Sequence, residues 1–225
     1  MTYRVLIFDW DGTLADSIGA IVACTAATVA DLGLPPIREE LVRETIGRGL
    51  GDSLERLCPA APELQRRLLD RYRELWVERF SHQVSLFPGV PALLARLRAR
   101  HLLAVATGKS RRGLARELAE AGLAGHFAAT RTADEAPSKP HPQMVLDILS
   151  ELAVTPRQAL VIGDTTHDLE MAHDAGADAL AVCGGSHDRA ALAAAMPLGC
   201  LTSVLELEAW LAERAAAESA LRSGR

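Results

Sequence analysis

The chain has 225 residues, 49% of them hydrophobic and 24% charged. That fits one large α/β domain, or a core carrying a modest insertion, and excludes disorder as the main state. A formal net charge of -5 at pH 7 excludes the broad basic face that a nucleic-acid partner would need, while a few local cations suffice for a small anionic metabolite.

From the N-terminus, residues 3 to 8 form a short apolar run that ends abruptly in Asp9-Trp10-Asp11-Gly12-Thr13. The pattern is that of a buried parallel strand emptying into a polar loop. From Ser17 to about Val84 the periodicity turns helical, with Ile18, Ile21 and Val22 and then Leu64, Leu68, Tyr72 and Leu75 on helical spacing. Pro35-Pro36, Gly47 to Gly51 and Pro59 to Pro62 divide this stretch into roughly four helices, and Phe87-Pro88-Gly89 marks its end. Beyond it, apolar runs at 102–106, 159–162 and 179–183 alternate with helical patterns at 90–100, 111–122, 141–153, 167–175 and 188–195.

This alternation predicts an α/β fold: a doubly wound, Rossmann-like parallel sheet with an all-helical insertion after the first strand. The core is expected over 1–16 and 84–225 and the insertion over 17–83. The Ala/Arg-rich stretch after Trp210 reads as a terminal helix that frays. No apolar stretch reaches the 18 residues that a membrane helix needs, so no membrane partner is expected. Cys24, Cys58, Cys183 and Cys200 are too widely spaced for CxxC or zinc patterns, and reduced thiols in a cytoplasmic protein are expected.

In open parallel sheets ligands sit outside the carboxyl ends of the strands. The residues that close the apolar runs are Asp9 and Asp11, Thr107-Gly108-Lys109, and Gly163-Asp164 with Asp168 just beyond. Acids converging from two strands, opposite hydroxyl and ammonium donors, suit a hard cation such as Mg²⁺ holding a phosphate. Of the 24 basic residues only Lys109 and Lys139 are lysine, which suggests positions where a compact point charge is needed and a planar guanidinium will not serve.

Taken in order, Asp9-Trp10-Asp11-Gly12-Thr13, then Thr107, then Lys139 in Ser138-Lys139-Pro140, then Gly163-Asp164-Thr165 with Asp168 resemble the four motifs of the haloacid dehalogenase-like superfamily. The resemblance spans about residues 5 to 183 and is similar to the phosphoglycolate phosphatase branch. It implies that the insertion is a small helical cap and that the reaction runs through an aspartyl-phosphate. Asp9 would be the nucleophile, and Asp11 the acid that protonates the leaving oxygen and then the base that activates water. The Asp9 carboxylate, the Asp11 backbone carbonyl and the Asp164 carboxylate would ligate Mg²⁺, with Asp168 orienting the ligands and Lys139. Thr107 Oγ and the Gly108 amide would hold phosphoryl oxygens, together with Lys139.

Other positions carry two readings. Lys109 is either a solvated surface lysine or a contributing partner of the phosphate or of the acid cluster. His167, between two acids of the fourth motif, reads as a surface residue at a helix start or as a group that tunes the site, His141 as part of another helix start, and Gly184-Gly185 as a plain turn. The Gly47-Arg48-Gly49-Leu50-Gly51 loop is either a helix connection or a lid whose Arg48 meets a second anion on the substrate.

The expected protein is a Mg²⁺-dependent phosphatase of a small phosphorylated metabolite, with 2-phosphoglycolate favoured and the oligomeric state open. Asp11 argues against a dehalogenase, and the lack of lysine in residues 17 to 83 argues against phosphonate hydrolysis through a cap Schiff base. A phosphosugar mutase on the same core is the alternative. A phospho-Asp signalling receiver would be about half this length with no helical insertion.

Overall fold

The computed structural model describes residues 3–223. The first strand, β1 (Val5–Phe8), is buried along its whole length. Helices cover both faces of the sheet, so Val-Leu-Ile-Phe needs no polar alternation. After the DxD loop, β2 (Ala15–Asp16) pairs antiparallel with β3 (Ser85–Leu86), placing Ala15 opposite Leu86. The insertion therefore leaves and re-enters the core side by side.

Within the insertion run α1 (Ile18–Asp31), α2 (Glu39–Thr45), α3 (Leu50–Leu57) and α4 (Pro62–Leu75). A π-helical turn, Trp76–Phe80, and a 3₁₀ turn, Ser81–Gln83, lead back out. The amphipathic faces of these helices close on their own apolar cluster, which includes Cys24, Val29, Leu54, Leu68, Tyr72 and Leu75.

The core continues through α5 (Val90–Arg98), β4 (Leu102–Thr107), α6 (Arg111–Glu120), β5 (Ala129–Thr132) and α7 (Gln143–Glu151). It closes with β6 (Ala159–Gly163), α8 (Thr166–Asp174), β7 (Asp178–Val182), α9 (Arg189–Ala194), β8 (Cys200–Leu201) and α10 (Leu207–Ser223). The six core strands lie in the order β5-β4-β1-β6-β7-β8, and every neighbouring pair is parallel. The order reverses between β1 and β6, so the crevice at their carboxyl ends is the topological switch point of a Rossmann-like sheet.

Alternate residues of the central strands feed opposite layers. Leu6, Phe8, Leu103 and Val105 pack on one side with Val90 and Leu93 of α5, while Val5, Ile7, Ala104 and Val161 pack on the other with residues of α7 and α8.

Three elements depart from the sequence expectation: the edge strands β5 and β8 and the short β2–β3 pair. The edge strand β5 reads Ala-Thr-Arg-Thr and, among the described residues, pairs with β4 alone, so it carries no apolar run. The other edge, β8, is two residues long, as are both strands of the β2–β3 pair. The last two residues of the Ala/Arg-rich stretch lie outside those described.

Candidate active site

The site begins where β1 ends. The loop after Asp9 closes on itself, with the Leu14 and Ala15 amides donating to the Trp10 carbonyl at 3.0 and 2.9 Å. Gly12 sits at φ +79°, in the left-handed region. Glycine is required there for space as well, because a Cβ on Gly12 would stand 2.4 Å from Asp164 Oδ2. A Cβ on Gly185 would approach the same oxygen at 2.2 Å. The expected plain turn at Gly184-Gly185 thus also makes room for a carboxylate.

Asp9, Asp164 and Asp168 each bring a carboxylate oxygen within 4.8 Å of the others, and all three are buried. Such a group would repel itself without compensation. Lys139 Nζ, fully buried, lies 2.7 Å from Asp9 Oδ1 and 2.6 Å from Asp168 Oδ1. Thr13 Oγ1 and the Ser186 amide each donate to Asp164 at 2.7 Å. Thr165 donates to Asp168 Oδ2 from its hydroxyl at 2.7 Å and its amide at 3.2 Å, which also caps the start of α8.

This compensation falls short of the charge. Burial pushes the Asp9 carboxyl well above the usual carboxylate range despite Lys139, and Asp168 adds to it. Burial and then Asp168 push Asp164 up to about 6. For Lys139, burial acts against the charge, but Asp168 and Asp9 outweigh it and hold the ammonium above its ordinary value. Among the described residues, Asp9 Oδ2 is buried with no hydrogen-bond partner. An orphaned oxygen among three buried carboxylates fits a further hard cation, and an all-oxygen donor set fits Mg²⁺ better than a softer metal.

The Asp11 carboxylate does not join that group. Its Oδ1 pairs with Lys109 Nζ at 3.0 Å, and the same ammonium lies 3.0 Å from Glu117 Oε1. Glu117 Oε2 in turn accepts from Trp10 Nε1 at 2.7 Å. Of its two readings, Lys109 is therefore a buried partner of the acids. Glu117 escaped the sequence reading, although its position offered a signal: it lies in the apolar stripe of α6, between Leu114 and Leu118 on helical spacing.

Thr107 closes β4 fully buried, and its Oγ1 accepts from the Lys109 amide at 3.2 Å. Of the expected Gly47–Gly51 loop only residues 47–49 connect α2 and α3, since Leu50 and Gly51 open α3, and this short connection lies against the strand end. The Gly49 amide donates to Ser138 Oγ at 2.7 Å, and Arg48 Nη1 donates to the Lys139 carbonyl at 3.2 Å. Arg48 Nη2 meets His167 Nδ1 at 3.4 Å, and His167 Nε2 meets the Glu44 carbonyl at 3.0 Å.

His167 is thus not the surface residue expected but is 7% exposed, covered by the insertion. Burial, reinforced by Arg48, pushes its pKa down to about 4, so the ring is neutral, with Nε2 donating and Nδ1 accepting. His141 stays at a helix start, accepting from the Gln143 amide at 3.2 Å.

The family described as haloacid dehalogenase-like hydrolase matches residues 6–182. A phosphoglycolate phosphatase of Synechococcus elongatus is 32% identical over 86% of this chain and 90% of its own length. An N-acetylmuramic acid 6-phosphate phosphatase of Pseudomonas aeruginosa is 33% identical over 81% and 82%. Among solved structures, a hydrolase from Pseudomonas syringae superposes with a TM-score of 0.84 at 26% identity, covering 93% of this chain and 98% of that one.

Proposed function

Because the chain belongs to the haloacid dehalogenase-like hydrolases, in their phosphoglycolate phosphatase-like branch, we propose that it hydrolyses a small phosphorylated carboxylic acid through an aspartyl-phosphate. That it is a phosphoric monoester hydrolase follows from its relatives. Mg²⁺ dependence, the intermediate and the substrate are the proposal. The observation that carries it is Lys139 fully buried between Asp9 and Asp168, with Asp9 Oδ2 left over beside it.

An Asp9 carboxylate oxygen attacks phosphorus and forms the acyl phosphate while the ester bond to the leaving oxygen breaks. Asp11 gives that oxygen a proton, then takes one from the water that attacks the acyl phosphate and returns Asp9 as a carboxylate. Thr107 Oγ and the Gly108 amide hold the phosphoryl oxygens. Lys139 neutralises their charge, held in line by Asp168. Asp9, the Asp11 backbone carbonyl and Asp164 would hold Mg²⁺, which when bound supplies further charge neutralisation at the phosphoryl group. Residues 17–83 act as a cap that closes over the leaving group and excludes water.

Both named relatives act on phosphorylated carboxylic acids, and the insertion brings a cation, Arg48, to the rim of the site. This supports 2-phosphoglycolate as the leading substrate. The four cysteines are free thiols, in keeping with a cytoplasmic protein, and among the described residues no helix is long and apolar enough to cross a membrane.

The test is phosphate release from phosphoglycolate, sugar phosphates, nucleotides and pyrophosphate, with and without Mg²⁺. Release from phosphoglycolate that requires Mg²⁺ is expected. Conversion of a hexose 1-phosphate into its isomeric ester, without free phosphate, would replace hydrolysis with mutase chemistry.

A further inference from the structure

We propose that Lys109 is a positioning residue for Asp11, and that Trp76 ties this position to the cap. The inference rests on the reading of Asp11 as acid and base. An acid–base carboxylate must point at the leaving oxygen, and Asp11 is aimed by something other than the three-carboxylate group, since it stands outside it. Lys109 Nζ is equidistant from Asp11 Oδ1 and Glu117 Oε1, at 3.0 Å each. Glu117 is fixed in turn by Trp10 Nε1 at 2.7 Å. The chain Trp10, Glu117, Lys109, Asp11 thus leaves the DxD loop at one residue and returns to the next, so Glu117 and Lys109 grip the loop at two consecutive side chains.

The lysine itself has little freedom. A Cβ on Gly113 would stand 3.1 Å from Lys109 Cγ, a tight contact that would push the stem aside by a few tenths of an ångström. An indole at the middle position of the DxD loop supplies an N–H donor that an aliphatic residue there would lack. Burying two carboxylates and an ammonium gives no advantage in stability over apolar side chains of the same volume. The arrangement is understandable as aim.

The third contact of the ammonium is with the cap. Lys109 Nζ lies 5.1 Å from the centroid of the Trp76 ring, within cation–π range. Trp76 opens the π-helical turn after α4 and stacks on Tyr72 at 6.0 Å with an interplanar angle of 8°. Displacing the cap moves this ring away from the ammonium that holds Asp11. Cap position and the aim of Asp11 therefore share one contact.

The experiment compares kcat/KM for phenyl phosphate, whose leaving oxygen needs a proton, with p-nitrophenyl phosphate, whose leaving group departs without one, using the full chain and Mg²⁺. General acid catalysis contributes roughly 10²- to 10⁴-fold, and losing its aim should cost K109M about ten- to a hundredfold more on phenyl phosphate than on p-nitrophenyl phosphate. The double variant K109M/E117Q keeps the net charge of the cluster, and the same bias is expected from it should the single variant fold poorly. W76L should show a smaller bias in the same sense.

A purely structural role predicts equal losses on both esters. Equal or absent losses in K109M and in K109M/E117Q would overturn the proposal, and no bias in W76L would overturn its cap half. D11N separates the two levels. Bias in D11N without bias in the lysine variants overturns the positioning role alone. No bias in D11N itself overturns the reading of Asp11, and the positioning role with it.

Discussion

The Arg48 carbonyl oxygen occupies the space that a side chain at Gly108 would need. A Cβ there would stand 2.2 Å from it and 2.6 Å from the Gly47 carbonyl oxygen. The tip of the insertion therefore rests on the strand end that is proposed to hold phosphate. Gly108→Ala should leave the core intact but prevent the loop from seating, at a cost of about 1 to 3 kcal/mol for overpacking. The expected result is a melting temperature lowered by a few degrees, a fall of roughly tenfold to a hundredfold in kcat/KM, and faster proteolysis at residues 47–49. Unchanged kcat/KM would mean that the reactive state does not use this contact.

Asp9→Asn should nearly abolish turnover, since an amide is a poor nucleophile. The same change should not lower the melting temperature. Burial and the neighbouring carboxylates already push the Asp9 carboxyl well above its ordinary range, so its ionised form costs stability at neutral pH that the amide avoids. Retention of more than about a tenth of kcat would remove Asp9 as nucleophile, because losing the attacking group should cost several kcal/mol.

Asp164 sets a pH dependence whose sign is unusual for a carboxylate. Its folded pKa of about 6 lies above the ordinary 3.8, so the folded state binds the extra proton and ionisation destabilises it. Without Mg²⁺ this group's penalty is absent below about pH 4 and complete above about pH 6. Bound Mg²⁺ would favour the ionised form, so the rise in melting temperature caused by Mg²⁺ should grow as pH increases through 6. Melts from pH 5 to 8, with and without the metal, measure this. A difference that stays flat across the range would take Asp164 out of the ligand set.

Lys139→Arg keeps the charge and should still be severely impaired. The ammonium bridges Asp9 and Asp168 at 2.7 and 2.6 Å with no exposure, and a planar guanidinium is too large for that position. Near-normal kcat would show that only the charge matters. Lys109→Arg would be mild for a solvated lysine, but the structure buries Lys109, and a loss is expected there as well.

These sites differ in how far the sequence discloses them. Asp9, Thr107 and Asp164 were legible because each directly follows or closes an apolar strand, and parallel topology brings strand ends together whatever the loops do. Glu117 was not, because its partner Lys109 lies a helix start away and their meeting with Trp10 depends on how α6 docks on the sheet. His167 looked exposed because the sequence around it is a polar helix start. What buries it is the connection at residues 47–49, and contact between distant segments leaves no periodic trace. The edge strands β5 and β8 failed for a related reason: an edge position needs no apolar run.

Arg48 offers the clearest choice between a role in the fold and a role in recognition. In the structure its guanidinium is held by two neutral groups, the Lys139 carbonyl at 3.2 Å and the His167 ring at 3.4 Å. With His167 pushed down to about 4, the ring is neutral near pH 7 and does not offset the arginine's charge. A half-buried cation held by neutral partners is well placed to receive an anion. A substrate carboxylate could take its remaining N–H donors in a charge-assisted pair, worth about 1.5 to 3 kcal/mol. Arg48→Ala should then lower kcat/KM for phosphoglycolate by roughly tenfold to a hundredfold and change p-nitrophenyl phosphate little, since that ester has no second anion. If the arginine is instead only a latch that fastens the insertion to the core, both substrates should lose equally, because closure serves every phosphoester. No loss on either would mean that neither contact matters to turnover.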